Sequence, residues 1–141
     1  MSSPNRADLA LRKPFFTPWM PGPVDPNVSP IVVSVTEFLA HRRRELPAVA
    51  MKGLRLRTGW YAMPGAVGLW LWSLPVSSRG GSISVWSSQA DLERFISLPR
   101  HVEIMQRYGT RGVVRSTMWQ DDAFDPDSII KRARAWISVS P

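Results

Sequence analysis

Of the two histidines in this 141-residue chain, His41 and His101, the second sits in the pattern that could do chemistry. His101, Met105 and Tyr108 stand at i, i+4 and i+7, which stacks them along one face of a helix. An imidazole on an apolar stripe can act as a base, orient a substrate or bind iron. It can equally be a buried histidine bonded to a backbone carbonyl or to Tyr108, and the spacing leaves that choice open. Trp86 shares its parity with Ser82 and Ser84 at the end of a strand-like run. Small hydroxyl side chains beside one indole leave volume, as a pocket wall requires. Trp70 and Trp72 share one parity of the preceding strand and continue that wall, or serve as core. Arg57 and Arg115 interrupt otherwise apolar patterns, where an unpaired charge is costly. A ligand carboxylate or phenolate would answer that cost with bidentate geometry, and so would Glu37 or Glu103.

Other chemistries drop out. The chain has no cysteine, which removes thiolate nucleophiles, disulfides and cysteine-held metals. Two histidines without ligand spacing do not make a zinc site. "TGWYAMPGAVG" lacks the Lys-Ser/Thr of a phosphate loop, no serine sits in a nucleophile elbow, and "DDAFDPD" lacks calcium-loop spacing.

The elements that must position these residues read in order. Residues 1–30 hold seven of thirteen prolines and form an arm that is neither regular helix nor central strand. Phe15, Phe16 and Trp19 fit it to pack on the body or on a partner chain. Residues 31–141 form the domain. "IVVSVTEF" (31–38) is a strand, followed by a helix that begins near Pro47. On that helix Leu46, Val49, Ala50, Gly53, Leu56 and Trp60 share a face, and Arg57 falls within it. Strands follow at 66–74 and 81–87. A helix from Gln89 to Tyr108 breaks at Pro99, a fourth strand spans 112–119, and a last helix spans 128–137 with Asp127 or Ser128 as N-cap.

The order β-α-β-β-α-β with an extra C-terminal helix predicts an α+β, ferredoxin-like split βαβ domain. A one-sided sheet should alternate apolar with polar residues. "VGLWLW" is apolar on both parities, with Val67, Leu69 and Leu71 on one and Trp70 and Trp72 on the other. The second face therefore needs a cover. A second copy packed sheet to sheet supplies it most economically, with the arm or the last helix as alternatives.

The stretches "GAVGLWLWSLP", "GGSISVWSSQADLERFISLPRHVEIMQRY" and "STMW" resemble the dimeric α/β-barrel superfamily. It includes antibiotic-biosynthesis monooxygenases, haem-degrading monooxygenases, spheroidene-monooxygenase-like proteins and families of unknown function. The likeness covers roughly residues 31–137 and is carried best by a strand ending in "SVW", a short acidic helix with Leu and Phe, then His and Met. It implies a homodimeric barrel with a pocket in each subunit, between sheet and helices, for a flat apolar substrate. It also implies either cofactor-free oxygenation or haem, since haem-degrading relatives pair a helix histidine with a sheet tryptophan, as His101 and Trp86 do in order.

The composition, 44% hydrophobic and 21% charged, is that of a globular domain. A net charge of +7 is spread along the chain, apart from Arg42–Arg44, and no nucleic-acid-binding signature accompanies it. No apolar run reaches the ~18 residues of a membrane span, and the N-terminus has no signal-peptide pattern. A cytoplasmic location is therefore expected. The expected function is a tailoring enzyme of monooxygenase type, acting on an aromatic or polyketide-like metabolite without a cofactor. His101 would be its catalytic group; Trp86, Trp70, Trp72, Arg57, Arg115, Met105 and Tyr108 would contact substrate. The alternatives are a haem protein with His101 as axial ligand, an isomerase or cyclase, and a non-catalytic ligand-binding module.

Overall fold

The computed structural model describes residues 13–139, so the first twelve residues of the predicted arm lie outside the described part. Strands β1 (Phe15–Phe16) and β2 (Met20–Pro21) belong to the arm. The domain follows as β3 (Ile31–Ala40), α1 (Glu45–Thr58), β4 (Ala66–Leu74), β5 (Arg79–Trp86), α2 (Gln89–Ile96), α3 (Pro99–Tyr108), β6 (Gly112–Asp121) and α4 (Pro126–Ser138). The sheet runs β4-β5-β3-β6 with every neighbour antiparallel. This is the predicted ferredoxin-like arrangement with its extra C-terminal helix.

Local chemistry explains the boundaries. Pro99 cannot donate to a preceding turn, so the 89–108 segment splits into α2 and α3, with Pro99 in the first turn of α3. Ser88 caps α2 by accepting the Asp91 N–H, while the Asp91 carboxylate accepts from the Ser87 and Ser88 hydroxyls. These bonds hold its pKa below 3.8. Asp125, rather than Asp127 or Ser128, caps α4, because Pro126 takes the first helical position and Asp125 Oδ1 then meets the Ser128 N–H.

Each face of the sheet has its own cover within the chain. On one, Ser34, Thr36, Leu69, Leu71, Ser82 and Ser84 look toward α1, α2 and α3. On the other, Ile31, Val33, Val35, Trp70, Trp72, Ile83 and Val85 form a core closed by Ile129, Ala133 and Ile137 of α4, with Phe16 and Trp19 of the arm. The apolar second face that suggested a second copy is thus covered by the last helix and the arm. A register shift between Ala66 and Gly68 moves Val67 from the parity of Leu69 to the α4 side, which simple alternation had missed. Trp19 lies against Gly68, where a Cβ would fall 1.8 Å from its ring, and its centroid is 4.3 Å from that of Trp70.

Glu37 is 1% exposed on the α4 side. It accepts from Arg79 Nε at 2.6 Å and from Arg115 Nε at 2.5 Å. Arg79 also reaches the Ile137 carbonyl, and Arg115 the Trp136 and Val139 carbonyls at 3.3 and 3.1 Å. Two cations thus satisfy the last carbonyls of α4 and meet its negative dipole end. Burying Ile129 and Ile137 contributes about 1.5–3 kcal/mol each. A buried ion pair roughly breaks even against its desolvation, so apolar burial docks α4 and the Glu37 cluster fixes its position.

Candidate functional site

Between the sheet and α1, α2 and α3 lies a cavity of about 550 Å³, within the range of small-molecule sites. Its roof is apolar: Leu46, Val49, Ala50, Gly53 and Leu56 from α1, with Leu92, Phe95, Ile104 and Met105 from α2 and α3. The shared face expected for the first helix is this roof, and Trp60, in the 3₁₀ turn after α1, continues it. Gly53 keeps the roof thin, since a Cβ there would meet Leu71 Cδ1 at 3.4 Å. The floor is different. Ser34, Thr36, Ser82, Ser84 and Ser116 line it with hydroxyls from the three strands β3, β5 and β6. Apolar above, and below hydroxylated except at Leu69 and Leu71 of β4, the slot suits a flat molecule that carries oxygen substituents.

His101 and Tyr108 border this slot beside Met105, as the i, i+4, i+7 stripe predicted. His101 is half-buried, with its ring centroid 4.8 Å from that of Phe95. Its Nδ1 lies 3.2 Å from the Ile96 carbonyl. A carbonyl only accepts, so Nδ1 carries the proton and Nε2 keeps a free lone pair. Burial pulls the imidazole below its ordinary pKa of 6.5, against the opposing pull of the carbonyl, so the ring is neutral at pH 7.

The remaining expected residues are divided. Trp86 stands one layer behind the wall; its Nε1 donates to Ser84 Oγ at 2.9 Å and its ring meets those of Trp60 and Phe95. Trp72 reaches the slot's margin, but its ring belongs to the α4-side core and Nε1 donates to the Thr36 carbonyl at 3.2 Å. Trp70 is on the α4 side against Trp19 and Phe124. Arg115 is there too, neutralised by Glu37, the pairing that the sequence offered as its alternative to a ligand. Arg57 does not line the slot; it turns along α1 and donates to the Pro18 carbonyl at 3.1 Å, tying the arm to the domain. Lys52 is the only lysine or arginine among the described lining residues, and its place on the helix wheel, off the apolar face, hid it. The arm contributes Phe15, Phe16 and Thr17, which a reading of it as a separate segment had not placed at the site. Among the described residues, no three His, Asp or Glu side chains converge as a metal set, and no helix is long and apolar enough to cross a membrane.

No family model matches the chain, and no curated protein matches it. Solved structures do. A ferredoxin-fold protein related to antibiotic biosynthesis monooxygenases, from Listeria monocytogenes, superimposes on 65% of this chain at 20% identity with a TM-score of 0.53. A heme-degrading enzyme from the same organism superimposes on 63% at 19% identity, also at 0.53. The chain has the ferredoxin-like fold of the antibiotic-biosynthesis-monooxygenase-like proteins. It spans 57% and 61% of the lengths of those two Listeria proteins. A cofactor-independent oxygenase from Streptomyces nogalater is spanned over 97% of its length, at 16% identity and a TM-score of 0.53. At these identities the likeness is one of fold, and the ferredoxin-like chain's chemistry has to be argued from its own slot.

Proposed function

We propose that this protein is a cofactor-independent oxygenase acting on a flat, oxygenated aromatic substrate held in the slot. The observation that carries this reading is the neutral His101 imidazole on the wall of an apolar cavity floored by hydroxyls. The reaction needs an acidic C–H beside an aromatic ketone or phenol. His101 Nε2 accepts that proton, and the Ile96 carbonyl at Nδ1 stabilises the imidazolium. The floor hydroxyls donate to the oxygen on which the substrate's negative charge develops, beneath the apolar roof. The electron-rich anion then reduces dioxygen and forms a C–O bond to it. Loss of water from the resulting hydroperoxide leaves a ketone, so R₂CH₂ + O₂ gives R₂C=O + H₂O. His101 returns its proton to the peroxide, then takes the second C–H proton as the O–O bond breaks and passes it to the leaving hydroxide. The substrate itself supplies the four electrons, so no external reductant enters.

Haem is the second reading, favoured by the Nδ1–H to carbonyl bond that leaves Nε2 free as a ligand atom. The residues fit: His101 would hold the iron, the apolar roof the macrocycle, and Lys52 a propionate. Haem bound there would supply iron for oxygen activation.

Oxygen uptake with 1,8-dihydroxyanthrone separates these outcomes. The proposal expects catalysed uptake with one quinone formed per oxygen, and a rate falling about 10²–10⁴-fold in His101→Ala. Equal rates in both proteins would remove His101 from the chemistry. A sharp Soret band on haemin addition, absent in His101→Ala, would favour the haem reading instead.

A further inference from the structure

Among the described residues that line the slot, Lys52 is the single charged side chain. No aspartate or glutamate is among them, and His101 is neutral at pH 7. Lys52 finds no partner along its own helix either. The residues three and four places away are Ala48, Val49, Arg55 and Leu56, so no i, i+3 or i+4 ion pair is open to it. The ion pairs among the described residues join Glu37 to Arg79 and Arg115, Asp91 to Arg94, and Glu45 to Arg111. An exposed lysine needs no partner, because water solvates it. Lys52 is partly buried and lines a slot whose roof is apolar, where an anion is worth more to it than in water.

Its place relative to His101 follows from how α1 and α3 pack. Leu46, at the start of α1, clusters with Tyr108 at the end of α3, and Val49 and Ile104 pack beside them. Near the other end of α1, Leu56 and the following Gly59 share with His101 the lining of an adjoining cavity of about 120 Å³. The two helices therefore run antiparallel. Lys52 falls between these contacts, about 6 Å before Leu56 along the helix axis.

We propose that Lys52 binds a carboxylate on the slot's ligand, so that the oxygenase's substrate is an aromatic acid. The carboxylate would sit about one helical turn from the carbon that His101 deprotonates. This rests on the oxygenase reading of the slot and adds the substrate's charge to it. A lysine ammonium is a compact point charge, and one of them balances one singly charged group. A carboxylate meets that condition, whereas a phosphate dianion would call for a second cation, which the described lining lacks. An apolar roof accepts any flat molecule; Lys52 selects among them. It also orients, because a carboxylate held there keeps the substrate from sliding and leaves its C–H before His101.

Equilibrium titrations of the full chain, followed by tryptophan emission, test this apart from catalysis. The probes are 1,8-dihydroxyanthraquinone and 1,8-dihydroxyanthraquinone-3-carboxylate, which share the ring system and both hydroxyls. At low salt the wild type should bind the carboxylate about tenfold more tightly. Lys52→Arg should keep that preference, Lys52→Met should abolish it, and Lys52→Glu should reverse it, with circular dichroism confirming that each variant is folded. Equal affinities in the wild type, or a preference that survives in Lys52→Met, would overturn the proposal while leaving the oxygenase reading standing. Binding of neither quinone would overturn both. A preference that depends on Lys52, in a protein that catalyses no oxygen uptake, would uphold the carboxylate subsite and remove only the oxygenase chemistry.

Discussion

His101 takes its character from two neighbours that act in opposite directions: the apolar wall around Phe95 lowers its proton affinity and the Ile96 carbonyl raises it, with burial the larger effect. A base must be neutral to accept a proton. Because the folded pKa lies below 6.5, the acid limb of kcat/KM should be centred below 6.5, at the folded value. Stability follows the same sign. The unfolded chain binds the proton more tightly, so this contribution is fully present above about 6.5 and is lost as pH falls through the folded pKa. A pH–rate profile checks the first point, and a limb centred above 6.5 would contradict it. The stripe His101, Met105, Tyr108 was legible because helical spacing alone places it. Arg57 and Arg115 were not, because a charge inside an apolar pattern says only that a partner exists. Glu37 and the Pro18 carbonyl, distant in sequence, turn out to be those partners.

At the scale of elements, all four central strands and the kink at Pro99 could be read from alternation, β-branching and proline. The register shift at Ala66–Gly68 could not, because a bulge leaves no periodic trace, and it decides which face Val67 takes. The cover of the second face was legible only as a need. α4 meets it with Ile129, Ala133 and Ile137, and the Glu37 cluster secures its end. Glu37→Ala would leave two guanidiniums facing each other beneath α4, at a cost of about 3–5 kcal/mol. Urea unfolding measures this directly. A loss below about 1 kcal/mol would show that apolar burial alone holds the helix.

For the whole molecule, the arm, α4 and the split βαβ core divide the work: two covers close one face of the sheet, and three helices roof a slot on the other. The chain's seven tryptophans serve both faces of the sheet, in the α4-side core and behind the slot. The proposed chemistry requires that ligand bind in the slot under α1. Gly53→Phe tests it, because a phenyl ring there projects from the roof toward Leu71 and fills the slot, while the helix gains a better former than glycine. The measurement is a titration of wild-type and Gly53→Phe proteins with 1,8-dihydroxyanthraquinone, followed by tryptophan emission. Saturable one-to-one quenching is expected in the wild type, with its loss in the folded variant. Equal quenching in both would contradict it, placing the ligand outside the slot.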